Sequence, residues 1–306
     1  MPIVAEDGDD YADPDDMYAA LLGQDSVSVT VGDRRIQVVF ADGGAGLNRM
    51  EILTWIARCA AAMAHYFGRF PVANYRLLVI AQPGHRVGHA TTYGYGGAAT
   101  RIRVGRLAGR AAFDEDWVLV HEMFHAALPD LPRRSLWMQE GNATWLEPVA
   151  RAAIGQLAVT EVWRQAVVGM PKGKPQPGDV GADGGLDGTT AHDRLYWGGA
   201  TFWLLAELEI LMRSRGRYTL RDAMRGVNLS SGGNTADWAP DQFVAACDRA
   251  TRTDAVSALY GRFANGPEHT DLTTLFARLG VVVRNGQIGF DDRAGLAWLR
   301  RRITAR

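Results

Sequence analysis

Two histidines and a glutamate at residues 121–125 have the spacing of a metal-binding helix. The segment reads HEMFH, so that His121 and His125 lie four positions apart with Glu122 beside the first. On a helix such residues share one face, with Cβ atoms about 5–6 Å apart, and their imidazole nitrogens can bind one zinc ion. Glu122 is placed to act as a general base on a water at that metal. The alternative is a chance match on a buried helix.

A third candidate ligand follows in the segment LWMQEG. A catalytic zinc needs three protein ligands and an open position for water. Glu140 lies on a second predicted helix that Ser135 can cap, and Glu147 follows seven positions later on roughly the same face. Gly141 and Asn142 weaken a helix, so their presence indicates a role other than helix stability. The residues predict one zinc ion bound by Glu140 and the two histidines.

The elements that position these groups follow from hydrophobic patterning. Two alternating runs from residue 26 predict a β-hairpin, and a helical pattern covers residues 47–67. Residues 75–81 are typical of a central strand, whereas the alternation in AATRIRV (98–104) predicts a half-exposed edge strand. The glycine-dense segment between them is predicted as a loop, so helical ligand geometry does not apply to His85 and His89.

These elements predict an α+β fold with one sheet-bearing lobe and one helical lobe. The first 20 residues are acidic and poor in large apolar groups, which predicts a loosely held arm. The sheet-bearing lobe is expected at 21–128, ending in the helix that carries HEMFH. The helical lobe is expected at 129–306, interrupted by a small hairpin at Asn285 and Gly286.

Composition excludes several classes of function. The 306 residues include 33 Lys+Arg and 34 Asp+Glu, so a net charge of -1 gives no overall attraction to nucleic acid or to an acidic membrane. No apolar run is long enough for a membrane span. Cys59 and Cys247 fall in apolar segments, which favours buried free thiols over one long-range disulfide.

The chain start and the assembly state leave alternatives open. The first residues lack the basic and apolar regions of a signal peptide. The protein is therefore expected to be cytoplasmic if the chain is complete, or exported if a signal peptide has been removed. The sequence does not indicate an oligomeric state.

HEMFH followed by LWMQEGNATWLE resembles the gluzincin metallopeptidases, and most of all the glycyl aminopeptidase family. The similarity runs from about residue 50 to the end and includes AHYFGRFPVANYRLLV and the helix that opens YWGGATFW. It implies a thermolysin-like fold with a small mixed sheet, one zinc ion on His121, His125 and Glu140, and hydrolysis of a peptide or protein substrate. By the same resemblance Tyr196 stabilises the oxyanion, with His192 as the alternative donor.

The resemblance also implies where a substrate binds. Gly96, Gly97 and Ala98 match the family's substrate-binding strand, along which a peptide could add as an extra strand. Ala99 stands where the relatives carry the glutamate that binds the substrate's α-amine, so the resemblance does not extend to aminopeptidase action. Glu147 matches the second glutamate of leukotriene-hydrolase-type aminopeptidases, which follows their Asn-Glu-Gly phrase. Two other functions stay open: a non-catalytic peptide-binding protein, and a zinc hydrolase of a non-peptide amide or ester.

Overall fold

The computed structural model describes residues 11–175, 184–267 and 269–305. The elements up to the HEMFH helix are, in chain order, α1 (Pro14–Gly23), β1 (Ser26–Val31), β2 (Arg34–Phe40), α2 (Arg49–Phe67), β3 (Asn74–Gln82), β4 (Val87–Tyr93), β5 (Ala99–Gly105), α3 (Arg110–Glu115) and α4 (Val118–Ala127).

The rest of the described chain is mostly helical. Its elements are α5 (Leu136–Ala153), α6 (Val159–Gly169), a π-helical turn (Arg194–Gly198), α7 (Gly199–Arg213), α8 (Leu220–Ser231), α9 (Pro240–Thr251), α10 (Ala255–Asn265), α11 (Leu272–Arg278), the hairpin β6 (Val281–Arg284) and β7 (Gln287–Phe290), and α12 (Ala297–Ile303). The predicted combination of a mixed sheet with a mostly helical second part is confirmed. None of the described helices is both long and apolar enough to span a membrane.

The five-stranded sheet has the order β1-β2-β3-β5-β4. β2, β3 and β5 run parallel, while β1 and β4 are antiparallel to their neighbours. The hairpin β1–β2 and the central strand β3 confirm the predictions. The prediction of β5 as an edge strand is wrong, because β4, predicted as a loop, pairs outside it. The alternation in β5 reflects the different coverage of the two sheet faces, since Ile102 and Val104 enter the main core while Arg101 reaches the backbone of Tyr11 on the opposite face.

The prediction of a loosely held arm is wrong for the described residues 11–20. α1 packs on the sheet with Met17 and Leu21 fully buried in a cluster that includes Leu78. The acidic residues serve its N-terminus, where the Asp13 side chain accepts a hydrogen bond from the backbone of Asp15. A short apolar stripe thus suffices to attach the segment despite its charge. Residues 1–10 of the predicted arm lie outside the described residues.

The other face of the sheet is covered by α2 and α4 within one large apolar cluster that continues into the later helices. α2 matches the predicted helix and ends at Gly68, whose φ of 85° is left-handed. Cys59 and Cys247 are both free and buried, as predicted. The predicted turn at Asn285 and Gly286 joins β6 to β7.

Candidate metal centre

The HEMFH segment lies on α4, whose N-terminus is fixed by one buried carboxylate. Asp116 accepts hydrogen bonds from the backbone N–H groups of Val118 (3.1 Å) and Leu119 (3.2 Å). Burial is the main cause that raises the pKa of Asp116 to about 6, and these hydrogen bonds oppose it. The two acidic residues before it, Asp114 and Glu115, belong to α3.

Glu140 is brought to α4 by α5, which packs closely against α7. A Cβ placed on Gly141 would lie 2.2 Å from the backbone carbonyl carbon of Gly199, so only glycine permits this approach. This close contact explains why a glycine occupies position 141 in spite of its low helix propensity. The expected side-chain cap by Ser135 is wrong, because its hydroxyl donates to Asp187. The indole N–H of Trp137 donates to the same carboxylate at 2.7 Å.

The three candidate ligands converge on one point. Oε2 of Glu140 lies 3.2 Å from Nε2 of His121 and 3.4 Å from Nε2 of His125. Ligand atoms about 2.0–2.1 Å from a tetrahedral zinc are about 3.3–3.4 Å apart, which is the edge of that tetrahedron. All three ligand atoms lie within 4.8 Å of one another. The donor set and its spacing therefore fit one zinc ion.

The electrostatics of the group favour a cation. Burial alone would lower the pKa of His125, but the charge of Glu140 and its hydrogen bond outweigh burial and raise it to about 9. Glu122 and Asp130 add to the same effect. Burial would likewise raise the pKa of Glu140, yet the two imidazoles hold it well below its usual value. Negative charge from three carboxylates, Glu140, Glu122 and Asp130, thus acts on His125.

Tyr196 borders this group from the π-helical turn before α7. Its ring is nearly parallel to that of His121, with 5.9 Å between the centroids. Burial is the main cause that raises the pKa of Tyr196 above its usual value, and the charge of Glu140 adds to it. The hydroxyl is therefore protonated at neutral pH and able to donate. His192 stacks on Tyr196 at 4.2 Å but is 76% exposed, so it lies towards solvent rather than among the ligands.

Glu147 lies away from the metal centre. It forms a buried ion pair with Arg151 at 2.7 Å, and burial raises its pKa to about 7 in spite of that partner. Seven positions along a helix correspond to an axial distance of about 10 Å, so Glu147 is too far from Glu140 to bind the same metal ion. Glu147, which matches the family's second glutamate, therefore contacts Arg151 and not the candidate ligands.

The predicted substrate strand at Gly96, Gly97 and Ala98 is also wrong. These residues lie between β4 and β5, and the carbonyl of Gly97 accepts a hydrogen bond from the hydroxyl of Tyr18 at 2.7 Å. A Cβ on Gly96 would lie 2.8 Å from that tyrosine ring. The glycines thus accommodate α1 rather than a peptide.

A cleft of about 710 Å³ runs over the metal centre. One wall is the edge strand β4, whose segment is predicted as a loop from its glycines. The other walls include α4, α5, Tyr196 and the residues Asn234, Thr235 and Asp237. Thr92 of β4 contacts Glu122 directly, since its hydroxyl donates to Oε2 at 2.7 Å. The alternation in HATTY was the only sequence signal for this strand.

Known structures share this fold at low sequence identity. No protein-family profile and no curated protein sequence matches the chain. An aminopeptidase N family protein from Idiomarina loihiensis is 14% identical with a TM-score of 0.61, covering 85% of this chain and 50% of its own. An M1 zinc metallopeptidase from Deinococcus radiodurans is 16% identical with a TM-score of 0.51, covering 81% and 52%.

A mutant two-domain M1 zinc metallopeptidase bound to L-tryptophan is equally similar, with 16% identity and a TM-score of 0.51 over 81% of this chain and 52% of its own. The chain therefore spans about half the length of these structures. It has a metallopeptidase-like fold, the fold found in the M1 zinc metallopeptidases.

Proposed function

We propose that the chain is a zinc-dependent metallopeptidase of the gluzincin type. The observation that carries the proposal is the convergence of His121, His125 and Glu140 within 4.8 Å at the floor of an open cleft. Glu122 and Tyr196 line the same cleft. The similar structures support this function by their fold, and the site residues support it by their chemistry.

Each residue has one chemical task in this proposal. When bound, zinc supplies the Lewis acidity that polarises the scissile carbonyl and acidifies a water molecule. Glu122 accepts a proton from that water as it attacks the carbonyl carbon, and delivers the proton to the leaving amine when the C–N bond breaks. The Tyr196 hydroxyl donates a hydrogen bond to the oxyanion that develops on the carbonyl oxygen. The protons balance over the reaction.

The substrate in this proposal is a peptide lying along β4. An edge strand offers unpaired backbone groups, so an extended peptide can bind as an additional strand. The chain's finer likeness, to glycyl aminopeptidases, rests on HEMFH and LWMQEG and does not include an amine anchor. Ala99 is fully buried within the interior strand β5 and has no polar side chain to bind an ammonium group. An endopeptidase, or an aminopeptidase with another anchor, is therefore proposed.

The test is hydrolysis of matched peptides by the zinc-loaded protein. Each fluorogenic peptide is offered with a free and with an acetylated N-terminus, and Glu122→Gln is the control. We expect hydrolysis by the wild type and a loss of about 10²–10⁴-fold in kcat in the variant, with zinc retained. Wild-type rates in the variant would refute the mechanism. Binding without cleavage indicates a non-catalytic peptide-binding protein, and cleavage of esters alone indicates a different hydrolase.

A further inference from the structure

Three hydroxyl groups form a continuous row behind Glu122. The Thr92 hydroxyl lies 2.7 Å from Oε2 of Glu122, and the Thr100 hydroxyl lies 2.7 Å from that of Thr92. The Tyr75 hydroxyl lies 2.5 Å from that of Thr100. The row thus starts in the core and ends on the carboxylate proposed as the general base.

The hydrogens of this row all point the same way. The Thr92 hydroxyl donates to Glu122, to Oε2 of the side chain at 2.7 Å and to the backbone carbonyl oxygen at 3.2 Å. Because Thr92 has one hydrogen, the hydrogen in its contact with Thr100 must come from Thr100. The Thr100 oxygen then accepts from Tyr75, which is the observed donor. Aligned hydrogen bonds polarise one another, and the last of them is assisted by the carboxylate charge.

The row is built by the sheet. Thr92 of β4 and Thr100 of β5 are direct cross-strand partners, so their side chains lie side by side on one face. Tyr75 is on β3, which pairs with β5, and projects into the same apolar cluster as α4. Tyr75 and Thr100 are 1% and 0% exposed. A row that ends inside the core has no exit for a proton, so its action is on the orientation of Glu122.

We propose that Thr92, backed by Thr100 and Tyr75, is a positioning residue for Glu122. The inference rests on the proposed peptidase function. By fixing Oε2, the row stops the carboxylate from rotating and leaves Oε1 to accept the proton of the attacking water. β4 then has two tasks, because the strand that binds the peptide also holds the base.

Variants at Thr92 and Thr100 test this inference. We expect Thr92→Val to lower kcat about 10–100-fold, as for other residues that orient a reacting group, with KM within about threefold and zinc content unchanged. Thr92→Ser keeps the hydroxyl and should restore kcat to within about threefold of wild type. Thr100→Val should give a smaller loss than Thr92→Val, because the donor to Glu122 remains.

Thr251→Val is the matched control for loss of a buried hydroxyl. Thr251 is fully buried on α9 and donates to the carbonyl of Cys247 at 3.0 Å, away from the cleft. Its kcat should equal that of wild type. Wild-type kcat in Thr92→Val, an equal loss in Thr92→Ser, or an equal loss in Thr251→Val would each overturn the proposal.

A readout that does not use activity separates this proposal from the proposed function. If the zinc-loaded wild type hydrolyses no peptide, the peptidase proposal fails, and crystal structures of wild type and Thr92→Val still decide on the row. We expect the Glu122 carboxylate to contact Thr92 in one orientation in the wild type and to rotate or split in the variant. A wild-type structure without that contact, or an unchanged carboxylate in the variant, overturns the inference.

Discussion

Replacing Gly141 by alanine tests whether the approach of α5 to α7 holds the metal centre together. The added Cβ would lie 2.2 Å from the carbonyl carbon and 2.3 Å from the Cα of Gly199, far inside van der Waals contact. Both contacts are backbone atoms, so no side-chain rotation relieves them and the two helices must separate. Overpacking of this kind costs about 1–3 kcal/mol, while alanine regains about 1 kcal/mol of helix propensity. We expect a net destabilisation of up to about 2 kcal/mol.

The separation also has a functional consequence, because α5 carries Glu140 and Tyr196 directly precedes α7. Zinc affinity should fall together with stability in Gly141→Ala.

The assay is chemical unfolding of the metal-free proteins, followed by zinc titration of the folded ones. Gly261→Ala is the matched control, because Gly261 is also helical and a Cβ there would meet no atom within 4 Å. This control should be stabilised by about 0.5–1 kcal/mol through helix propensity alone, with unchanged zinc affinity. A Gly141→Ala variant that is as stable as Gly261→Ala, or that unfolds more easily while binding zinc as tightly as wild type, would contradict this prediction.

Three further predictions concern pH, a buried ion pair and the metal. Burial raises the pKa of Glu207 from 4.5 to about 7, although the hydrogen bond that it accepts from Trp145 opposes this shift. The folded state therefore favours the protonated acid. The free energy of unfolding should fall by about 3 kcal/mol as the pH rises between those two values. Glu207→Gln should therefore unfold like wild type at pH 4 and at higher denaturant than wild type at pH 8; equal midpoints at pH 8 would contradict this. Arg151→Met should cost about 3–5 kcal/mol by leaving Glu147 buried and unpaired, with zinc affinity unchanged, and a calorimetric titration showing weakened zinc binding would place the pair at the metal centre after all. Zinc at a thousandfold excess over its Kd should stabilise the wild type by about 4 kcal/mol in thermal unfolding, whereas His125→Ala should gain little, and an equal gain in both would exclude the proposed ligands.

The ligand set could be proposed from sequence because its information is local. His121 and His125 are fixed relative to each other by one helical turn, and α4 forms where the apolar pattern places it. Glu140 required a second helix to meet the first, which the sequence indicated only through the LWMQEG phrase. The reason for Gly141 became visible only with the packing of α7, since no local rule links positions 141 and 199.

The strand that lines the cleft could not be predicted from the sequence, because the order of strands in a sheet depends on long-range pairing. β4 is flanked by glycines and has only a short alternating pattern, so its sequence predicts a loop. It forms a strand because it pairs with β5. The placement of Thr92 against Glu122 depends on the register between β4 and β5. Glu147 shares a helix face with Glu140, but the axial rise along α5 carries it to Arg151 and away from the candidate ligands.

We propose that three side chains from α4 and α5 bind one zinc ion. The most direct test of this proposal is anomalous diffraction from crystals of the zinc-loaded protein, with data collected above and below the zinc absorption edge. We expect one zinc peak about 2.0–2.2 Å from Nε2 of His121, Nε2 of His125 and the Glu140 carboxylate. A fully loaded protein with no peak between these groups, or with its zinc bound elsewhere, would contradict it.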